Sequence, residues 1–353
     1  MTKRLLDSMR LGEHEGVVVY DPSNMFYLSG YTGEGLVLVA RGISAIITDF
    51  RYTEQAQAQA PGFEVLMTEK GKSHEDIAGA LCASGGIDTL YYEDDFVTVH
   101  TFNALRESVR GVEWKVVGSE IARLREIKDE DELALIRQAC RITGEAFERI
   151  LPHIKEGVTE KELALRLDFD MMSHGASKPS FSTIVAAGAN GSLPHAVPGE
   201  YRLRRGDMIT MDFGARYGNY CADMTRTVAL GQPSDEMKKV YGIVLDAQKM
   251  AQDAVAAGKL CRDIDAIARN YIYSHGYEGR FGHGLGHAVG IEIHENPRYS
   301  PTCSDIIQSG MVMTIEPGIY LPGKFGVRIE DTTFVRPDGC EIVGKSPKEL
   351  IVL

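Results

Sequence analysis

The stretch GDMITMDFG (206–214), continuing to DMTRTV (223–228), returns later in the chain as GMVMTIEPG (310–318), continuing to EDTTFV (330–335). Both copies fit G-x-x-x-T-x-[Asp/Glu]-x-G, then a turn, then [Asp/Glu]-x-T-x-x-V. Short runs rich in Ile, Val, Met and Thr with this punctuation read as strands. The chain therefore builds one two-stranded device twice, with two carboxylates on each: Asp212 and Asp223, then Glu316 and Glu330. The Tyr-Gly-Asn run at 217–219 reads as a hairpin connection, which would set Asp212 and Asp223 side by side on antiparallel neighbours. Carboxylates that close repel unless a cation lies between them. A single acid at a strand end is commonplace, but two matched pairs at equivalent positions point to a cation site.

His287 lies in FGHGLGHAVGIEIHENP (281–297), and His195 in SLPHAVPG (192–199). Both sit in Leu-x-His-Ala-Val, so the duplication appoints one histidine per half to the seam between them. Four carboxylates and one imidazole, His287, form an oxygen-rich set suited to divalent ions, with room for more than one. His283 and His287 are four apart, but the intervening glycines argue against a helix and there is no H-E-x-x-H; His283 is a backup ligand only. The glycines here read as places where backbone approaches a ligand closely. The alternation of Ile291 and Ile293 before His294 reads as a strand. Arg328, two residues before Glu330, is expected on the same strand face, supporting a ligand carboxylate by pairing with Asp212 or Asp223. Arg298, just beyond His294, could hold the anionic end of a substrate.

Around this core the sequence divides near residue 122. Residues 1–122 alternate strand-like runs (GVVVY, GLVLVA, SAIITDF, LYYEDD, EWKVVG) with helix-like ones (RYTEQAQAQA, SHEDIAGALCASGG), an α/β unit without a catalytic cluster. Residues 123–353 read helix–helix–strands twice. A long helix carries Leu133, Ile136, Cys140, Thr143 and Phe147 on one face and ends near Pro152; a second begins at a Thr159/Glu162 capping box; two more cover roughly 234–257 and 262–275. Two such halves, helices outside, make an α+β body with the carboxylates at the seam. A net charge of −12 argues against nucleic acid as a partner. No apolar run is long enough to span a membrane. The start, MTKRLLDSMR, has no apolar core of a secretory signal, and the six scattered cysteines read as reduced thiols of a cytoplasmic protein.

The motifs MDFG…CADMTRT, GHGLGHAVGIEIHENP, TIEPGIY and GVRIEDT resemble those of the pita-bread metallopeptidases, which include Xaa-Pro dipeptidases (prolidases), aminopeptidase P, methionine aminopeptidases and creatinase. NMFYLSGYTG (24–33) in the first unit is similar to the creatinase-type N-terminal domain of the proline-specific members. The resemblance implies two divalent ions per chain, Mn, Co or Zn, with Mn favoured. Asp212 would bind one, His287 and Glu316 the other, and Asp223 and Glu330 both. A hydroxide held between the ions would attack the scissile carbonyl. Glu316 would shuttle the proton, His195 and His294 would bind the substrate carbonyl, and Arg328 would act with them. The implied substrate is a short Xaa-Pro peptide, with Arg298 favouring a dipeptide, and the implied assembly is a homodimer. The alternatives are an aminopeptidase of other specificity, such as a methionyl one, a creatinase-like hydrolase, or a non-catalytic binding protein on the same fold.

Overall fold

The computed structural model describes all 353 residues. They form two compact units, Met1–Arg125 and Glu126–Leu353. The first unit is a six-stranded sheet of β1 (Glu15–Val19), β2 (Leu36–Ala40), β3 (Ile43–Thr48), β4 (Glu64–Met67), β5 (Thr89–Tyr92) and β6 (Glu113–Val116), in the order β4-β3-β2-β1-β5-β6. The β1/β2 and β2/β3 pairs are antiparallel, the other three parallel. Every residue of β2 is buried, as expected of a central strand covered on both faces. Helices α1 (Thr2–Ser8), α2 (Pro22–Ser29), α3 (Thr53–Gln59), α4 (His74–Ser84) and α5 (Val99–Ser108) accompany it, and α6 (Glu120–Glu126) carries the division between units. Helix α4 starts where its sequence says: Ser73 Oγ accepts the Asp76 N–H, and the Asp76 carboxylate accepts the Ser73 N–H.

The second unit opens with α7 (Glu130–Ile150), capped by Asp129, and α8 (Glu160–Ser173), capped by the Thr159/Glu162 box. Helix α7 ends at Ile150, and Pro152 lies in a single 3₁₀ turn beyond it. Their apolar faces pack on the first-half strands: Ile142, Phe147, Leu163, Leu167 and Met171 form one core with Ile209, Met211, Phe213 and Val228. The strands are β7 (Lys178–Pro179), β8 (Ile184–Ala187), β9 (Met208–Phe213), β10 (Ala215–Tyr217), β11 (Tyr220–Cys221) and β12 (Met224–Ala229). The second half repeats the plan. Helices α9 (Asp235–Ala254) and α10 (Cys261–Ser274) share a core with β13 (Gly286–Ala288), β14 (Glu295–Tyr299), β15 (Val312–Ile315) and β18 (Asp331–Arg336); β16 (Gly318–Leu321), β17 (Phe325–Arg328) and β19 (Gly339–Ile342) complete it. The α+β reading and the duplication of helix pair and strands both hold. No helix is long and apolar enough to cross a membrane.

Three local readings change. The Tyr-Gly-Asn turn is a two-residue hairpin with Gly218 at φ +54° and Asn219 at φ +69°, the left-handed pair that matches strand twist, but it joins β10 to β11. Asp212 lies within β9, opposite Thr225 of β12. Asp223 is two residues before Thr225, so the two acids are diagonal neighbours on one face instead of direct partners. Residues 291–294 form bends, not a strand. The β13/β14 register shifts at His287/Ala288, and the Glu295 carboxylate takes the Glu292 N–H at 3.2 Å, which turns the chain there. Finally, several glycines of 284–290 serve close packing within the protein instead of ligand approach: a Cβ on Gly286 would lie 2.1 Å from Thr314 O, and one on Gly290 2.5 Å from Glu295 Oε2.

That crowding makes Gly286 the point where fold and site meet, since Thr314 Oγ1 also accepts the His287 N–H at 3.0 Å. Gly286→Ala should act as overpacking, lowering the melting temperature by roughly 2–12 °C and weakening metal binding. Gly282→Ala, where nothing lies within 4 Å of the added Cβ, should shift it by less than about 2 °C. Equal melting temperatures in a thermal scan of both variants would refute this account of Gly286.

Candidate metal centre

The acids meet where the two halves join. Glu330 N–H bonds Thr225 O at 3.1 Å, and Thr332 Oγ1 donates to Asp223 O at 2.8 Å. The threonines of the repeated pattern hold the ends of the acid-bearing strands in place. Thr225 Oγ1 donates to Glu330 Oε2 at 2.7 Å, and Thr314 Oγ1 donates to Glu316 Oε1 at 3.3 Å. Asp223, His287 and Glu330 are all buried, and each offers a ligand atom within 4.8 Å of the others. His287 Nε2 lies 3.5 Å from Asp223 Oδ2 and 3.4 Å from Glu316 Oε1. Asp212 stands apart from that group of three, with Oδ2 held at 2.7 Å by Arg328 Nη2.

The electrostatics of this cluster are those of a cation site. His287 Nδ1 lies 3.1 Å from Ala288 O. That carbonyl can only accept, so Nδ1 carries the proton and Nε2 turns its lone pair toward the carboxylates. Burial lowers the His287 pKa to about 4. Burial and the neighbouring carboxylates push Asp223 and Glu330 well up, and burial pushes Glu316 up to about 8, with Arg328 opposing the rise in each. Asp212 Oδ1 and Glu330 Oε1 are buried acceptors without a hydrogen-bond partner. Acceptors facing acceptors, two of them orphaned, fit divalent cations and no arrangement of the chain's own donors.

Arg328 is buried and supports the cluster from one side. Besides Asp212, its Nε donates to Thr225 Oγ1 at 3.0 Å, and Nη1 donates to Tyr320 OH at 2.9 Å and Pro194 O at 3.2 Å. Tyr320 was not singled out by the sequence, which offers no signal for it. Its hydroxyl also lies 2.8 Å from His283 Nε2, whose Nδ1 faces Gly284 O at 2.8 Å. Burial lowers the His283 pKa to about 4. The backup histidine thus lies beside the centre as a neutral acceptor for Tyr320.

A cavity of about 470 Å³ opens over the cluster, lined by His195, His283, His294 and Arg298 as well as the acids and His287. His195 and His294 are exposed at its wall. The His294 ring stands edge to face against that of His287, with centroids 4.5 Å apart. Burial, then Arg298 and His195, lower the His294 pKa. Arg298 is exposed on β14 and pairs in register with His287, which directs both side chains to one face.

The raised carboxyls give the metal-depleted protein a particular pH response. A carboxyl whose folded pKa lies above its unfolded value, 4.5 rising to about 8 for Glu316, stabilises fully below the unfolded value and loses that contribution as pH rises. Below about pH 6.5 the depressed His283 and His287 act in the opposite sense, so the melting temperature of chelated protein should fall between about pH 6.5 and pH 8, and saturating Mn²⁺ should remove most of the fall. A rise over that range in the chelated protein would refute it.

Comparison with known proteins agrees with this chemistry. Residues 134–337 match metallopeptidase family M24, and residues 1–127 match the creatinase/prolidase N-terminal domain. The chain is 41% identical over 340 residues to an uncharacterized peptidase, YqhT, of Bacillus subtilis (strain 168), covering 96% of each. Among solved structures, an Xaa-Pro dipeptidase from Bacillus anthracis superposes with a TM-score of 0.96 at 39% identity, covering 100% of this chain and 99% of that one. An X-Pro aminopeptidase from Thermotoga maritima MSB8 does so with a TM-score of 0.93 at 37% identity, covering 98% of this chain and all of that one. With its creatinase-type first unit and pita-bread second unit, the chain belongs to metallopeptidase family M24 and is a metal-dependent hydrolase.

Proposed function

We propose that this metallopeptidase hydrolyses the Xaa-Pro bond of dipeptides in preference to longer peptides, using two divalent ions with Mn²⁺ favoured. Asp212 would hold one ion, His287 and Glu316 the other, and Asp223 and Glu330 both. When bound, the ions supply Lewis-acid polarisation of the scissile carbonyl and a water of lowered pKa. The chain's own groups do the rest. Glu316, facing the cavity, takes a proton from the attacking water and passes it to the leaving imino nitrogen. His294, whose ring stands against that of His287, donates an N–H to the carbonyl oxygen as it gains charge, with His195 beside it. Arg328 fixes Asp212 through the 2.7 Å contact and keeps its Oδ2 from swinging.

The observation that carries the choice of a dipeptide is Arg298. Its guanidinium lies on the cavity wall, one strand pair away from His287, with no carboxylate of the chain within salt-bridge distance. A dipeptide bound with its carbonyl at the centre presents its free carboxylate to that arginine; a tripeptide carries it one residue farther on, about 3.5 Å. The relatives' names divide between dipeptidase and aminopeptidase, so the second reading is an X-Pro aminopeptidase, in which Arg298 touches no carboxylate.

The test is an Xaa-Pro and Xaa-Pro-Yaa panel with Mn²⁺, Co²⁺ and Zn²⁺ each added back. Arg298→Ala should cost the dipeptide roughly 10- to 150-fold in kcat/KM, the worth of a charge-assisted clamp, and leave the tripeptide nearly unchanged. Tripeptide cleaved as well as dipeptide, with the mutation silent on both, establishes the aminopeptidase reading instead. Alanine at His195 or His294 should lower kcat by roughly 10²–10⁴-fold with metal content retained; lost metal would reassign that histidine as a ligand.

A further inference from the structure

Immediately after His294 comes a buried acid that no step above uses. Glu295, the first residue of β14, is 8% exposed, and its Oε2 accepts from Lys128 Nζ at 2.9 Å, the lysine side chain being 1% exposed. Lys128 sits just ahead of α7, its own N–H bonded to Gly310 O at 2.9 Å and its Nζ to Glu126 O at 3.4 Å. Glu295 Oε1 accepts the Glu292 N–H at 3.2 Å. The carboxylate is therefore folded back under the 290–294 turn, and Gly290 packs on it so closely that a Cβ there would lie 2.5 Å from Oε2. The other side of the turn is pinned as well: Cys221 N–H bonds Gly290 O at 2.8 Å, and Gly290 N–H bonds Glu292 O at 3.0 Å.

A buried ion pair is a poor source of net stability, because desolvation offsets the attraction, but it fixes geometry well. Here the geometry it fixes is that of one backbone turn. Side chains at 291–294 have no ladder to hold them, since regular pairing resumes only at Glu295. The turn's shape then depends on one carboxylate meeting both the Glu292 N–H and Lys128. His294 hangs from the end of that turn, its ring against His287.

We propose that Glu295, locked by Lys128, is a positioning residue that sets the His294 imidazole for the reacting carbonyl. This rests on the reading that His294 acts on the substrate. The test uses the full chain loaded with metal. Lys128→Met/Glu295→Leu removes both charges of the pair and the acceptor. It should lower kcat roughly 10- to 100-fold, the effect of a misplacement of about 1 Å, with KM and bound metal unchanged. Lys128→Met/Glu295→Gln keeps an acceptor for the Glu292 N–H and should recover most of that loss. In a His294→Ala background the same pairs should change kcat by less than about twofold, because their effect passes through the missing ring. Gly290→Ala, which displaces the carboxylate while keeping both charged residues, should behave as the Leu variant does and decides the matter if that variant does not fold. Equal losses with and without His294, or no rescue by glutamine, overturn the proposal and leave the reading of His294 standing. His294→Ala with full kcat overturns both.

Discussion

Everything in the second unit is arranged around a cluster that the protein cannot satisfy by itself. Asp212, Asp223, Glu316 and Glu330 converge with the lone pair of His287 in a place closed to water on most sides, and of the four acids the buried guanidinium of Arg328 bonds only Asp212. Bringing acceptors together in low dielectric is costly unless a charge of opposite sign joins them. Two apolar cores, one under each helix pair, hold the strands in register regardless. The helices α7–α10 thus do no chemistry but supply the stability against which the acids are held. Threonines of the repeat are the second means, since Thr225, Thr314 and Thr332 each spend a hydroxyl on a strand end or a carboxylate of the cluster.

The duplication is not a strict symmetry, and the departures matter. Asp212 and Asp223 are eleven residues apart, Glu316 and Glu330 fourteen. In the first half a tight hairpin with Gly218 and Asn219 intervenes, and the acids fall diagonally about Thr225. In the second, β16 and β17 occupy the insertion, and Ile315 pairs with Asp331, so Glu316 and Glu330 flank the end of the ladder. The longer insertion also delivers Tyr320 and Arg328 into the site. The second half therefore contributes, besides its acids, the arginine and tyrosine that support the cluster, while the first adds Thr225 to its acids.

Most of this was legible because it rested on period and spacing. The buried face of α7, the capping box of α8 and the pairing of the acids follow from local rules that the structure obeys. Helix α2 was passed over because Asp21-Pro22-Ser23-Asn24 reads equally as a turn; in the structure Asp21 caps the helix through the Ser23 and Asn24 N–H groups. Strand β4 is not legible because Glu64-Val65-Leu66-Met67 is short and does not alternate apolar with polar residues. The diagonal placement of Asp212 and Asp223 could not be read, since register depends on which turn joins which strands. Nor could the bends at 291–294, whose isoleucines alternate like a strand while a carboxylate four residues beyond Ile291 dictates otherwise. Tyr320 and Lys128 enter through tertiary contact alone, where sequence spacing is silent.

Charge balance links the centre to its substrate. Arg328 cancels one of the four carboxylates, leaving the cluster with three negative charges around a neutral imidazole. One divalent ion would leave it negative and repel the oxyanion that peptide hydrolysis must form. Two, as proposed, would leave it positive by one charge, matched to that developing charge. Arg298 then adds a second positive locus on the wall paired with β13, at the far end of a short substrate. A small molecule with a free carboxylate would be drawn to both loci, whereas a longer chain would meet only the first. On the proposed reading, the same charge pattern that calls for two ions also favours a short peptide.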